Sequence, residues 1–376
     1  MMPSSETNDS WRLGHRPALD GIRATAVGLV LLAHSRIPLV GNGGGVGVAI
    51  FFTLSGFLIT ALLLEERQAF GRIKVTAFYL RRALRLVPAM VACVALAMVV
   101  MLGTEGHIPD WSLVIGTLTY TSNWVMIDGH FPLPTALGHT WSLAIEEQFY
   151  LIWPLALILL GRVTPRRTVR LILIAAAGVL LLRALLHNGA DPDYRLYFGF
   201  DTRADGLLIG AALAFWLHRR PERTVHAATP WVGLGALAAC CFAWGWAKWV
   251  LMPTVVGLGT ALLIYGVVQR RGFRLFEMRP VRWVGKRSYG IYLYQSPLHV
   301  LEMHLLGLSP AWWLLVFLPA TFVAAALSWR YVEQPFLRWK DRDPRSHAAV
   351  SERLSGGGDG PDRIDQRLPG HTGGGV

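Results

Sequence analysis

Apolar residues recur along this chain in long runs separated by short basic or polar breaks. A helix needs about 20 mostly apolar residues to cross a hydrocarbon core about 30 Å thick, so such runs predict membrane-spanning helices. Ten segments fit, near Ile22–Ile37, Val46–Leu64, Leu84–Leu102, Leu143–Leu160, Leu171–Leu186, Arg203–Leu217, Trp231–Trp246, Val250–Val268, Ser288–Leu306 and Trp312–Arg330. A further stretch, Trp111–Ile127, is apolar but studded with Thr, Ser and Asn. It reads either as an eleventh span or as a re-entrant segment.

The basic residues test that count. With ten spans and a cytoplasmic N-terminus, the cytoplasmic loops collect Arg67, Arg72, Lys74, Arg81 and Arg82, then Arg162, Arg166, Arg167, Arg170, Arg219, Arg220 and Arg223. The last of these loops adds Arg270, Arg271, Arg274, Arg279, Arg282, Lys286 and Arg287, whereas the outer loops hold little besides Arg195 and Lys248. Cytoplasmic loops are the ones enriched in Lys and Arg. An eleventh span would invert every later loop, so Trp111–Ile127 is expected not to cross. The expected fold class is all-α: a polytopic membrane helix bundle of about ten transmembrane helices in the cell membrane, with both termini cytoplasmic.

Composition agrees. Of 376 residues, 53% are hydrophobic and 16% charged, with mean hydropathy +0.40. A soluble chain carries about a quarter charged residues. The net charge of +12 would suit nucleic acid, but the placement of the basic residues makes it topological. Nucleic acid is therefore not an expected partner; the lipid bilayer and an anionic cytoplasmic ligand are. The three cysteines, Cys93, Cys240 and Cys241, lie in apolar runs with no metal-ligand spacing, so neither a disulfide framework nor a metal site is expected. Residues 1–16 form a polar segment without the apolar core of a signal peptide. The membrane domain is expected over 17–340. A charged, Gly- and Pro-rich tail over 341–376 is expected to be disordered, with no soluble catalytic domain attached.

Ionisable side chains inside a bilayer are costly and usually functional, and here they fall in a few clusters. Arg23 and His34 are eleven residues apart in the first span, about three helical turns, so they share a face roughly 16 Å apart. His34 is a candidate general base, because imidazole accepts a proton near neutral pH; bridging between helices is the alternative role. The segment Phe51-Phe52-Thr53-Leu54-Ser55-Gly56-Phe57 suits close helix packing. Arg82 and Arg85 are i,i+3 neighbours at the entry of the third span, where paired guanidinium forks suit a phosphorylated ligand. Glu146 and Glu147 are adjacent in Trp141-Ser142-Leu143-Ala144-Ile145-Glu146-Glu147-Gln148-Phe149-Tyr150. Successive helical residues point about 100° apart, so the two carboxylates are expected to have different jobs. One pairs with a basic group in the bundle; the other orients the histidine or the acceptor. Arg203, Asp205 and the tyrosines Tyr289, Tyr292 and Tyr294 are lesser candidates. Arg183, His299 and Glu302 belong to no motif.

Taken in order, these segments resemble the acyltransferase 3 family of membrane acyltransferases. The resemblance spans roughly Pro17 to Trp339. It rests on Leu19-Asp20-Gly21-Ile22-Arg23, the Arg-x10-His pair Arg23 and His34, Phe51 to Phe57, Arg82-x-x-Arg85, Trp141 to Tyr150, and Tyr331-Val332-Glu333-Gln334-Pro335-Phe336. It implies transfer of an acyl group from acyl-coenzyme A, a co-substrate and not a resident cofactor, to a hydroxyl of a sugar-containing acceptor. Surface polysaccharide, lipid-linked sugar and a secondary metabolite such as a macrolide antibiotic all remain open as that acceptor. It also implies activity at Arg23, His34, Arg82 and Arg85, and matches the acidic pair to Glu146 and Glu147 without choosing between them. Gln295 departs from the histidine many members carry there. The expected mechanism has Arg82 and Arg85 meeting coenzyme A phosphates and Arg23 steadying coenzyme A or an oxyanion. His34, helped by Glu146 or Glu147, deprotonates the acceptor hydroxyl; an acyl-histidine intermediate is the alternative. A secondary transporter of a small anionic solute is the rival class, but the inverted repeats it would need are not evident.

Overall fold

A computed structural model describes residues 13–14, 16–35, 41–128, 135–190, 192–218, 225–269, 273–307 and 309–341. Every regular element among the described residues is helical. Helices α1 (Pro17–Ala33), α2 (Gly43–Phe70) and α3 (Val75–Glu105) precede the short α4 (Trp111–Leu118) and α5 (Ser122–Ile127). Then come α6 (Trp141–Leu160), α7 (Pro165–Leu186), the short α8 (Tyr194–Phe198), α9 (Phe200–His218) and α10 (Thr229–Cys240). Next are α11 (Met252–Gln269), the short α12 (Arg274–Glu277) and α13 (Arg279–Lys286), and α14 (Ser288–Leu306). The last helical stretch runs through α15 (Pro310–Trp312), α16 (Leu318–Ser328) and α17 (Gln334–Asp341), joined by π turns at Trp313–Phe317 and Trp329–Glu333; another, Ala247–Leu251, leads into α11.

Each of the ten predicted segments overlaps a helix among the described residues, though Ile22–Ile37 and Trp231–Trp246 extend beyond theirs. Among the described residues, six helical stretches are long and apolar enough to cross a bilayer: Gly43–Phe70, Val75–Glu105, Gly138–Leu160, Pro165–Leu186, Ala247–Gln269 and Pro310–Arg338. The protein is a multi-pass helical membrane protein. Segment Trp231–Trp246 is shorter than expected: α10 ends after 12 residues, about 18 Å at 1.5 Å per residue. The chain then turns at Cys241 and takes a positive φ at Gly245. Arg36, the N-terminal residues through Arg12, the loop arginines Arg219, Arg220, Arg223, Arg270 and Arg271, and the tail after Asp341 lie outside the described residues.

Trp111–Ile127 does not form one helix. Asp110 caps α4 by accepting from the Ser112 N–H at 2.7 Å. The helix ends eight residues later at Leu118, and Tyr120 just beyond its C-cap takes a left-handed φ of 56°. The Thr121 N–H returns to the Gly116 carbonyl at 2.7 Å, closing the 6→1 bond of a Schellman-type stop. Helices of 8 and 6 residues span about 12 and 9 Å, well short of a bilayer core.

Burial separates centre from rim. In α2, 78% of the apolar window is buried, against 17% in α7. α2 is the hub, packing against α1, α6, α9 and α11. Its closest crossing is with α9, where small residues let the backbones touch. A Cβ on Gly56 would fall 1.9 Å from the Leu207 carbonyl oxygen, and one on Gly210 would fall 1.9 Å from that of Thr53. The outward faces of α6 and α7 expose Leu151, Ile152, Leu159, Ile174, Leu181 and Leu185. Contiguous apolar surface of that kind belongs against lipid.

Candidate functional site

The hub helix, α1, α3, α6 and α14 enclose a cavity of about 160 Å³. One water needs about 10–15 Å³ by this measure, so the space is far larger than a packing defect. Its walls carry Arg23 from α1, Ser55 from α2, Arg82 and Arg85 from α3, Glu146 and Tyr150 from α6, and Tyr289 and Tyr292 from α14. Helical spacing explains the convergence: i,i+3 puts Arg82 and Arg85 on one face of α3, and i,i+4 does the same for Glu146 and Tyr150 on α6.

The two adjacent carboxylates have different partners. Glu147 is engaged by Arg82, whose Nε donates to Oε1 at 2.7 Å and to Oε2 at 3.0 Å, with Nη2 2.6 Å from Oε1. The same guanidinium stacks over the Tyr150 ring, 3.4 Å from its centroid. Glu147 faces a neighbouring space lined by Tyr79, Tyr120 and Gln148. Glu146 faces the central cavity and accepts from the Ser55 hydroxyl at 3.1 Å. Arg82 is thus an ion-paired wall, while Arg85 opens onto the cavity without an ion pair among the described residues. Arg23 donates to Asp20 one turn back at 3.2 Å and keeps a quarter of its side chain exposed.

His34 lies apart from this cavity. It caps the far end of α1, with Nδ1 2.8 Å from the Val30 carbonyl oxygen. The carboxylates expected to assist it contact Arg82 and Ser55 instead. Beside His34 is His299, with ring centroids 5.1 Å apart; His299 Nδ1 lies 3.1 Å from Glu302 Oε2. Between cavity and histidines, Tyr292 connects through its hydroxyl to Ser142 Oγ at 2.6 Å and to the His139 carbonyl at 2.9 Å. One face of α14 therefore runs Ser288, Tyr292, Gln295, His299, Glu302, all buried. Sequence reasoning missed this stripe because it weighed each residue singly. The i, i+4, i+7, i+11, i+14 recurrence of polar side chains through an apolar helix was the available signal.

The lesser candidates separate as well. Asp205 is consumed by Arg183, which is fully buried and donates to both of its carboxylate oxygens at 3.0 and 2.7 Å. The Arg183 guanidinium also donates to the Val250 and Thr202 carbonyls at 3.0 and 2.7 Å and to the Thr254 hydroxyl. These bonds make Arg183 and Asp205 a clamp among α7, α9 and α11. Arg203 sits near the faces of Tyr197 and Trp141, 5.1 and 5.6 Å from their centroids.

Cationic groups and a carboxylate around a membrane-embedded cavity, with a histidine farther along the same helix as Arg23, match the motif order of one family. The acyltransferase 3 model, an acyltransferase domain, matches residues 16–330, and the chain belongs to that family. It is 32% identical over 348 residues to the peptidoglycan O-acetyltransferase OatA of Listeria monocytogenes, covering 85% of this chain and 55% of that protein. It is 35% identical over 347 residues to the putative peptidoglycan O-acetyltransferase YrhL of Bacillus subtilis, covering 85% and 54%. The O-acetyltransferase OatA of Staphylococcus aureus is 32% identical over 343 residues, covering 85% and 57%. The chain thus spans about half the length of these curated relatives. No solved structure matches it.

Proposed function

We propose that this protein is a membrane O-acyltransferase that moves an acyl group from acyl-coenzyme A to a hydroxyl on a sugar-containing acceptor. The observation that carries the reading is the convergence of Arg23, Arg82, Arg85 and Glu146 on one cavity, with Arg82 held from behind by Glu147, in a chain that carries the family's acyltransferase domain. The relatives' names favour peptidoglycan-type sugar as the acceptor and acetyl as the group. None of the relatives named above is a macrolide acyltransferase or a transporter. The membrane domain occupies 17–340 as ten spans with cytoplasmic termini. The loop charges support that count, with α1, α9, α10 and α14 completing the six longer spans.

In this reading the cavity opens toward the cytoplasm. Arg85 and Arg23 meet donor phosphates, with Arg82 held in place by Glu147. The donor's extended arm follows α1 for roughly 16 Å, from Arg23 to His34. There the imidazole Nε2 takes the proton of the acceptor hydroxyl, since Nδ1 is occupied by the Val30 carbonyl. The alkoxide oxygen attacks the thioester carbonyl carbon, the C–S bond breaks, and the coenzyme A sulfur leaves with the proton from His34. His299, backed by Glu302, faces the imidazolium that forms.

The test is acyl transfer by purified protein in proteoliposomes, with labelled acetyl-coenzyme A and a peptidoglycan-fragment acceptor. We expect His34→Ala to lower turnover by about 10²–10⁴-fold, the usual range for losing a general base. Arg85→Ala should mainly raise KM for the donor. Wild-type turnover by His34→Ala would overturn the base assignment. Absence of acetyl-dependent thiol release by the wild type would overturn the donor.

A further inference from the structure

A third concavity, beyond the cavity and its neighbouring space, is not used by the chemistry above. It is a bowl of about 410 Å³ whose cationic walls are Arg279, Arg282, Lys286 and Arg287, with indole surfaces from Trp283 and Trp329. Among the described residues, no acidic side chain lines it. We propose that this bowl binds the 3′-phosphorylated adenosine end of the donor, and so fixes coenzyme A as the thioester the enzyme accepts. This rests on the reading that acyl-coenzyme A is the donor.

Three observations carry the inference. First, the bowl is a built surface and not a loose basic loop. Its helix, α13, is pressed onto the start of α1 at Gly285, where a Cβ would fall 1.9 Å from the Asp20 carbonyl oxygen. That contact is three residues from Arg23. Secondly, the chemistry suits a phosphorylated aromatic base. The Arg287 guanidinium lies 4.3 Å from the Trp283 ring centroid and 5.7 Å from that of Trp329. One of its N–H groups donates to the Trp283 carbonyl at 3.3 Å, while its buried Nε has no partner among the described residues. Flat cations and indole faces stack on a purine, and their remaining N–H groups meet phosphate oxygens.

Thirdly, the bowl and the cavity meet at consecutive residues of the chain. Arg287 lines the bowl and Ser288, the next residue, lines the cavity. Glu333 is within electrostatic reach of both Arg85 in the cavity and Arg287 in the bowl, and it is held by the Ser328 hydroxyl at 3.3 Å. It sits in the π turn Trp329–Glu333, which also brings Trp329 to the bowl; such turns frequently mark functional sites. A ligand with phosphates at Arg85 would therefore have its nucleotide end on the side of the cavity where α13 lies.

An anionic lipid headgroup shares the phosphate chemistry, and basic interfacial pockets do take such headgroups. A lipid offers no adenine and no 3′-phosphate. The experiment compares acetyl-coenzyme A with acetyl-3′-dephospho-coenzyme A in phosphatidylcholine proteoliposomes, and measures binding of adenosine 3′,5′-bisphosphate directly. The wild type should favour the 3′-phosphorylated donor by about tenfold or more in KM, one charge-assisted contact's worth. Arg282→Gln and Arg287→Gln should collapse that preference, with the change falling in KM more than in kcat, and should weaken bisphosphate binding. Lys286→Gln, at an exposed position, gives the same readout if an arginine variant fails to fold.

An unchanged donor ratio in all folded variants would overturn the proposal. So would variants that abolish a dependence on added phosphatidylglycerol while keeping the ratio, which would assign the bowl to lipid. If the wild type binds the bisphosphate through these residues yet releases no thiol from acetyl-coenzyme A, the acyltransferase reading fails while the nucleotide site stands.

Discussion

Replacing Glu147 by Gln should destabilise the protein, whereas the same change at Glu146, one residue earlier, should spare the fold. Arg82 and Glu147 are held by three short contacts, with side chains only 16% and 17% exposed. Removing one partner of a buried pair costs about 3–5 kcal/mol, because the other charge is left without compensation. Glutamine keeps one acceptor oxygen, which recovers about 0.5–1.5 kcal/mol as a hydrogen bond. The remaining solvent contact softens the loss further, leaving about 2–3 kcal/mol. Among the described residues the Glu146 side chain has one hydrogen bond, from Ser55 at 3.1 Å, and it faces the cavity; its replacement by Gln should cost about 1 kcal/mol or less. Its effect belongs in turnover. The assay is unfolding of the purified protein in a single detergent, by heat or denaturant, with a double-mutant cycle combining Arg82→Met and Glu147→Gln. A coupling energy below about 0.5 kcal/mol would be indistinguishable from independent sites. That result, or equal destabilisation by the two Gln variants, would refute this division of labour.

Two further outcomes follow from packing. Gly210→Ala puts a methyl 1.9 Å from the Thr53 carbonyl oxygen and 2.8 Å from the Phe57 nitrogen; α2 and α9 must separate, costing about 1–3 kcal/mol. Gly178→Ala meets nothing within 4 Å and should be neutral or stabilising by about 0.5–1 kcal/mol, so equal melting midpoints for the two would refute the crossing. Arg183→Met removes a fully buried cation from Asp205 and should cost about 3–5 kcal/mol; unchanged expression and thermal stability in detergent would argue against the clamp.

Elements and site differ in how legible they were. Positions of the long helices follow from apolar length, because in lipid the backbone must satisfy its own hydrogen bonds. The failure of Trp111–Ile127 to span was readable from loop charge. Its stop at Tyr120 was not, since a left-handed tyrosine has no sequence signature. Nor was the early end of α10, where hydropathy continues through Trp246 while the backbone turns. For the site, periodicity put Arg82 and Arg85 on one face and separated Glu146 from Glu147. It could not say which carboxylate meets which cation, because Arg82 and Glu147 are 65 residues apart in the chain.

What the sequence by itself determined is an all-helical multi-pass chain of the acyltransferase 3 type, with polar clusters at Arg23, His34, Arg82, Arg85, Glu146 and Glu147. Those facts depend on local spacing and apolar length, which a linear chain carries in full. The tertiary structure alone decided that Glu147 is spent on Arg82 while Glu146 faces the cavity. It also decided that His34 stands with His299 and Glu302 away from the arginines, and that the α13 bowl abuts the cavity. The first two are contacts between helices distant in sequence, and the third depends on α13 docking onto α1 at Gly285; all need backbones to approach as closely as Gly56, Gly210 and Gly285 allow.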